Sequence, residues 1–582
     1  MKLQSIVNKY MGHIPNKPFS TANIKRANDI QNDYLSHHAS PTVHQSMLAQ
    51  RAALLAERKN FIQTASTAYD GQRPKDFPIY RKELDLFNQD QLILDAKWYA
   101  YQSAQGHRFQ LAAIPNRALK AQDMQQAAQH FGLFTLMLQH PNDMVDTCSH
   151  EHATHVHTIT DYMMAKDTVR RLDYLASLDP RTACIFPATG FLAETTDYHD
   201  AIDGSGILFG GASKQAMTLM GDKQQAQVFL ETLWEQLPQK DKDIIQTPPI
   251  IPSMLVDPKN ADSLTQARSF VENNGPCMVK ASGGGGGAGI EEVQDPNQLE
   301  TVVKNIQAIA DRLFPGSVIK LEKKIQQARH IESQGMVTGG APFMIHNEAK
   351  TVMNVGDRDC SLQHHRAKRL EEQSFAVPLS EQKKKDHFIE CVLGKLKEYG
   401  YQGPITMEFL YDGSFYFMEA NTRIQIEHPV TGMAYGDANL IAKLMVAAAL
   451  GTSYTVPPKK EGHVCYARIY AEDEKMNPSY EGQVTAISVP DTDEHSFVKV
   501  AVKEGAKIRR QFNTQIGEVG VWAPTRDESI QKLAQLVENL RIDGIKTNTQ
   551  NQLTLMSTDE FKSGNFGTET FEKEIYPRIV KS

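Results

Sequence analysis

Glu408, Glu419 and Asn421 lie on two aromatic and apolar runs, 405–411 and 414–421, that flank Asp412-Gly413. Asp-Gly between such runs is a strong hairpin signal. A two-residue turn there pairs Tyr411 with Ser414 and sets Glu408 opposite Phe417. Strand alternation then puts Glu419 and Asn421 on the face of Phe417. The two carboxylates become diagonal neighbours, roughly 7–8 Å apart at Cα. Carboxylates held side by side repel unless a cation lies between them. Two of them with an amide oxygen suit Mg²⁺ or Mn²⁺ bridging nucleotide phosphates. The competing reading is a solvated edge strand with scattered acids, and the apolar flanks weigh against it.

A second chemical signal is the run Gly283 to Gly287, with Lys280 at its base and the apolar Cys277-Met278-Val279 before it. Gly284, Gly285, Gly286 and Gly287 have no Cβ, so successive backbone N–H groups can close onto phosphate oxygens. Lys280 adds a point charge. The spacing fits neither a P-loop nor a Rossmann fingerprint, which leaves a phosphate-covering flap of another type. On composition alone the run also suits a flexible linker.

Ordered segments from about 108 to 577 give these signals a context. They include Asn116-Arg117, Met220-Gly221-Asp222-Lys223, Leu321-Glu322-Lys323 and Arg329-His330-Ile331-Glu332. Further on come Arg358-Asp359-Cys360-Ser361-Leu362-Gln363, a long match from 415 to 431, and Ala467-Arg468-Ile469-Tyr470-Ala471-Glu472-Asp473. In this set the chain resembles biotin carboxylase, a member of the ATP-grasp superfamily. The resemblance implies a mixed α/β and α+β multidomain fold. A Rossmann-like domain would precede an ATP-grasp domain with a glycine-rich lid, and a β-rich subdomain would close the chain. It also implies an ATP-dependent ligase that forms carboxyphosphate from bicarbonate and carboxylates biotin.

The same resemblance assigns residues. Lys223, Lys280, His330 and Gln363 join the glycines as nucleotide-binding positions, with Glu322 and Lys323 on the adenine side. Glu408 and Glu419 hold the metal, with Asn421 nearby. Arg423 clamps bicarbonate, Glu427 is the general base, Gln425 completes that pocket, and Lys368 is a second cation lining it. Three departures stand out. Ala288 replaces a usual arginine, and His364-His365-Arg366 replaces a usual Arg-Arg-His. Phe497 occupies the place expected for an arginine that stabilises the biotin enolate, with Lys499 the nearest cation. On that ground two other readings stay open: an ATP-grasp ligase with a non-biotin acceptor, and a non-catalytic ATP-binding regulator of a carboxylase.

The elements that must position these residues divide the chain into four. Residues 1–107 form an extension of unknown role, with a helical stretch at 46–63. Residues 108–222 alternate strand and helix, with strands at 109–114 and 134–138. Residues 223–455 carry the ATP-grasp domain, its lid spanning about 250–325, and 456–577 the C-terminal domain. In the last, Thr525-x-x-Glu528 signals a capping box. The cluster His150-Glu151-His152-Ala153-Thr154-His155-Val156-His157 lacks a metal-ligand spacing and reads as loop and strand.

Composition bounds the rest. The chain has 582 residues, 41% hydrophobic content and a net charge of −7, which gives no electrostatic reason to bind nucleic acid. No apolar run is long enough to span a bilayer. Six cysteines without a CxxC pair point to reduced thiols and a cytoplasmic setting, with organellar import as the alternative. There is no Met-Lys-Met biotin-attachment segment and no carboxyltransferase sequence. The implied partners are therefore a separate biotin carboxyl carrier protein and a carboxyltransferase subunit, with a homodimer as the expected assembly.

Overall fold

The computed structural model describes residues 111–580 except 148–152, 154, 160, 167, 170–182, 282–288, 314–315, 366 and 374–376. The extension, the helical stretch at 46–63, Ala288, Arg366 and Gly284 to Gly287 therefore lie outside the described residues.

Five parallel strands open the described chain: β1 (Leu111–Ile114), β2 (Phe134–Gln139), β3 (His155–Thr158), β4 (Ala183–Ile185) and β5 (Leu208–Phe209). Their order, β3-β2-β1-β4-β5, is Rossmann-like. The strand reading of the histidine cluster holds over β3. Apolar side chains of β1 leave on both faces, which is why the run is continuous rather than alternating. One face packs on helix α1 (Ala118–His130).

Helix α2 (Lys223–Gln236) begins at the Asp222 cap, whose carboxylate accepts from the Gln225 N–H at 2.8 Å. The next unit has its own core. Strands β6 (Ser253–Val256), β7 (Cys277–Ala281), β8 (Ile290–Val293) and β9 (Ile319–Lys323) form an antiparallel sheet in the order β6-β9-β7-β8. Helices α3 (Ala261–Asn274) and α4 (Leu299–Leu313) cover it, burying Val271, Val303 and Ile306 against Val279 and Leu321.

The remaining large element is one antiparallel sheet of eight strands. Its members are β10 (Arg329–Val337), β13 (Val352–His364), β14 (Ala367–Gln373), β15 (Gly403–Tyr411), β16 (Phe415–Asn421), β18 (His463–Tyr470), β20 (Ser496–Val500) and β21 (Gln515–Ala523). Short strands β11 (Phe343–Ile345), β12 (Glu348–Lys350) and β17 (Tyr454–Thr455) make a side sheet, and β19 (Ala486–Ser488) pairs with β22 (Arg541–Asp543). The order is β16-β15-β10-β13-β14-β18-β21-β20. Pairing of β14 with β18, through Leu370 with Ala467 and Glu371 with Tyr466, carries one hydrogen-bonded surface from the central lobe into the C-terminal lobe.

Helix α5 (Leu379–Glu398) buries Phe388, Val392 and Leu396 on one side of this sheet. The short α6 (His428–Met433) has Pro429 in its first turn, and the chain folds back so closely after it that a Cβ on Gly432 would lie 2.3 Å from the Asp437 carbonyl oxygen. Helix α7 (Leu440–Leu450) is apolar except for Lys443, which pairs with Asp437 at 2.6 Å; its other residues are buried, and it packs on α1. Helix α8 (Arg526–Asn539) carries the Thr525/Glu528 capping box, with both of its reciprocal bonds present.

Candidate active site

The hairpin of β15 and β16 differs from its sequence reading in register. The turn holds three residues, Asp412-Gly413-Ser414, with Gly413 at φ +113°, so Tyr411 pairs with Phe415 rather than Ser414. A bulge then absorbs Met418, and Glu408 stands directly opposite Glu419 rather than opposite Phe417. The bulge also separates the faces: Phe417 and Ala420 enter the helix-covered core, while Asn421 turns to Glu408. The two carboxylates are thus directly cross-strand, closer than the diagonal pairing expected from a regular hairpin.

Protein cations hold both carboxylates. Glu408 Oε2 lies 2.7 Å from His330 Nε2, and its Oε1 accepts from Asn421 Nδ2 at 2.7 Å and Gln425 Nε2 at 3.0 Å. Burial would raise the Glu408 pKa, but Lys368 and His330 outweigh it and bring it down to about 2. Glu419, at the exposed edge, pairs with Lys223 Nζ at 2.5 Å. The Asn421 amide oxygen accepts from Arg423 at 2.9 Å. Glu408 and Glu419 therefore form a hard oxygen pair fit for Mg²⁺, whereas Asn421 presents its nitrogen to Glu408. His330 has both ring nitrogens engaged, Nδ1 facing Gln363 Nε2 at 2.7 Å, so the two residues prop Glu408.

One strand further across the sheet lies a denser charge cluster. Lys368 on β14 bonds both Glu332 of β10 and Glu427, which sits at the start of α6. Arg358, wholly buried on β13, donates to Gln334 and Thr431 at 2.9 Å, to Glu332 at 3.3 Å and to Gln425. Burial works against the charge on Glu427, yet Lys368, Arg468 and Arg358 keep it ionised well below the ordinary range. Burial would likewise depress Lys368, and Glu332 and Glu427 raise it well above its usual value. Arg423 leaves β16 toward the N-terminal domain and donates to Glu194 at 2.6 Å and Thr189 at 3.1 Å.

Sequence reasoning passed over Arg468, Glu371, Glu332 and Arg358. Arg468 on β18 donates from Nη2 to Glu427 at 2.9 Å and from Nε to Glu371 at 2.5 Å. A signal was available: in Cys465-Tyr466-Ala467-Arg468-Ile469, the alternate residues Cys465, Ala467 and Ile469 are core, and a charge in such a strand requires buried partners. Arg468, and not a group near position 497, is thus the cation of the C-terminal lobe that reaches Glu427 among the described residues. Phe497 packs into a small apolar cluster with Met433 and Tyr466, and its ring lies where a Cβ on Gly520 would be, 2.5 Å away. Lys499 cannot replace the missing charge. It is bound to Asp123 of α1 and Glu518 of β21, in a buried network with Lys120 and His428.

On the lid sheet, Glu322 gathers Lys280 and Lys320, which overcome burial and lower its pKa. Lys323 extends along Tyr416, 5.3 Å from the ring centroid. These side chains remain part-exposed on β7, which leads into the glycine run, and on its neighbour β9.

A four-stranded antiparallel lid, followed by a large antiparallel sheet bearing paired carboxylates, is the architecture of an ATP-grasp fold. Two family profiles match: the carbamoyl-phosphate synthase L chain ATP-binding domain over residues 242–455, and the biotin carboxylase C-terminal domain over 466–573. A biotin carboxylase of Pseudomonas aeruginosa is 32% identical over 400 residues, covering 67% of this chain and 82% of that protein. The structure of a biotin carboxylase–β,γ-ATP complex from Campylobacter jejuni superposes with a TM-score of 0.66 at 26% identity, covering 80% of this chain and 99% of the other. The biotin carboxylase domain dimer of Hydrogenobacter thermophilus 2-oxoglutarate carboxylase, in complex with MgADP, ADP and bicarbonate, gives 0.65 at 27% identity, covering 81% and 98%. The chain belongs to the biotin carboxylase family and is an ATP-dependent ligase.

Proposed function

We propose that this chain is the biotin carboxylase subunit of a multi-subunit carboxylase, acting on biotin delivered by a separate carrier protein. The observation that carries the reading is Glu427, ionised and held between Lys368 and Arg468 on the sheet that also bears Glu408 and Glu419. Bicarbonate is an anion that must lose a proton to attack the γ-phosphate. Lys368 and Arg423 supply the positive charge that draws it in, and Glu427 accepts its proton. Ion pairing makes Glu427 a weak base in the resting site. An incoming anion that shares Lys368 and Arg468 restores its basicity.

Glu408 and Glu419 would hold Mg²⁺, which neutralises charge on the transferring phosphoryl group. Lys223, Lys280, Lys323 and Glu322 would border the nucleotide, and the resemblance assigns Gly284 to Gly287 to its phosphates. His330 and Gln363 act from behind, by fixing Glu408. Attack on the γ-phosphate forms carboxyphosphate and expels ADP; its breakdown gives CO₂ and phosphate beside the biotin ureido ring, where the phosphate takes the N–H proton as the nitrogen attacks CO₂. Arg468 is the guanidinium suited to the negative charge that develops on the ureido oxygen.

The domain dimer of the Hydrogenobacter thermophilus relative supports a homodimer here, and that relative's bicarbonate and MgADP support the substrate and cofactor assignments. A carboxyltransferase subunit completes the assembly. Among the described residues no helix is long and apolar enough to cross a membrane. The alternative ligase with another acceptor was motivated by the missing cation near Phe497, and Arg468 removes that motive. The test is ATP hydrolysis by the full chain with and without bicarbonate, and carboxylation of free biotin and of a biotinylated carrier. Bicarbonate-dependent turnover with carboxybiotin formed is expected; bicarbonate-independent turnover would defeat the reading.

A further inference from the structure

Glu371 is a buried carboxylate that the scheme above leaves without a task. It lies on β14, paired in register with Tyr466 of β18, and so shares the face of Arg468 two residues on. Its Oε1 accepts from Arg468 Nε at 2.5 Å, while its Oε2 is buried with no hydrogen-bond partner. An unsatisfied buried carboxylate oxygen is costly, and a fold that needed only to neutralise Arg468 already has Glu427. What Glu427 alone cannot do is orient the guanidinium. Held by Nη2 only, the planar group could swing about that one bond. Held by Nε on one carboxylate and Nη2 on another, it has one orientation.

We propose that Glu371 is a positioning residue for carboxyl transfer: it locks the Arg468 guanidinium so that Arg468 meets both Glu427 and the ureido oxygen of biotin in fixed geometry. This rests on the biotin carboxylase reading and assigns it a further residue. Glu371 touches no reacting atom; it acts through Arg468. Its ionisation is a second handle. Burial pushes Glu371 up to about 7, with Arg468 only partly opposing and Glu427 adding. Around it, Glu427 is held well below its usual range, Lys368, Tyr466 and Cys360 lie well above theirs, Tyr470 is raised, and Glu332, which shares Lys368 with Glu427, is raised. His330 and Glu332, both raised, titrate in the same cluster, so the part of a near-neutral inflection in the transfer step that Glu371→Gln removes reports on Glu371.

The test uses the full chain with Glu371→Ala and Glu371→Gln, measuring bicarbonate-dependent ATP turnover and biotin carboxylation separately. Glu371→Ala should lower kcat for carboxylation on the order of 10- to 100-fold, below the roughly 100- to 1000-fold for losing a transition-state donor itself. It should lower ATP turnover by less than about threefold, because Lys368 still serves Glu427. Glu371→Gln keeps an acceptor oxygen for Nε; it should retain carboxylation within about threefold at neutral pH and lose that part of the inflection. Equal losses in both half-reactions, or none in either, would overturn the proposal. If Glu371→Ala does not fold, a pH profile for transfer that is identical in native protein and Glu371→Gln overturns it as well. A native chain that hydrolyses ATP with bicarbonate but carboxylates no biotin would defeat the underlying reading first, before any variant is made.

Discussion

Arg468→Ala and Lys499→Ala make a decisive pair, because sequence spacing favours Lys499 as the cation of the biotin site and the structure favours Arg468. Arg468 bridges Glu427 and Glu371, both buried, and Glu427 retains Lys368 when the guanidinium is removed. Losing one preorganised donor at a developing negative charge costs about 2.7–4 kcal/mol, a roughly 100- to 1000-fold fall in kcat for carboxylation. Breaking a buried ion pair costs about 3–5 kcal/mol of stability. Glu371, already shifted to about 7, can take up a proton, so the stability loss should fall toward the low end of that range. Lys499 instead joins Asp123 and Glu518 across the junction of α1 with β20 and β21. Asp123 keeps Lys120 and His428, so Lys499→Ala should cost about 1–3 kcal/mol of stability, less than full orphaning. Its carboxylation rate, measured well below its melting temperature, should stay within about threefold of native. Carboxyl transfer to biotin, ATP turnover and thermal unfolding are measured on both variants. Transfer abolished by Lys499→Ala in a folded protein and spared by Arg468→Ala would refute the reasoning.

Glu419→Gln should abolish MgATP turnover while shifting stability by less than about 1 kcal/mol, since its partner Lys223 is exposed; calorimetry and a phosphate-release assay check both. Lys280→Ala should raise the KM for ATP by about tenfold with a smaller change in kcat, because its charge lies with Glu322 on the lid sheet. Arg358→Met should cost about 3–5 kcal/mol, read from denaturant unfolding, as it removes one of the basic groups around Glu332 and leaves it Lys368 and the more distant His330. Glu408 has a depressed pKa of about 2 in the folded chain against about 4.3 unfolded, so its stabilisation is present above pH 4.3 and disappears as pH falls toward 2. The melting-temperature gap between native protein and Glu408→Gln should accordingly narrow over that window.

The sequence made much of the site legible because its chemistry is local. Glu408 and Glu419 lie on one hairpin, and Arg423, Gln425 and Glu427 lie within five residues, so spacing alone brings them near each other. The hairpin register was not legible, since a bulge at Met418 depends on how Phe417 and Ala420 enter the core under α5. Arg468 and Glu371 escaped for a different reason. Their contact is made by pairing of β14 with β18, nearly a hundred residues apart, and no local pattern specifies which strand a buried charge will meet. Phe497 misled in the same way: its alternation fits a strand, but only the bare Gly520 opposite explains why an aromatic ring lies there.

The most direct test of the central claim follows oxygen and carbon from one substrate. Full-length protein is incubated with MgATP, biotin and bicarbonate labelled with ¹⁸O and, separately, ¹⁴C. If bicarbonate attacks the γ-phosphate and is carried on to biotin, ¹⁸O appears in the released phosphate and acid-labile ¹⁴C appears on biotin, and Glu427→Gln suppresses both. Unlabelled phosphate released at a rate indifferent to bicarbonate, with no ¹⁴C on biotin, would contradict the account.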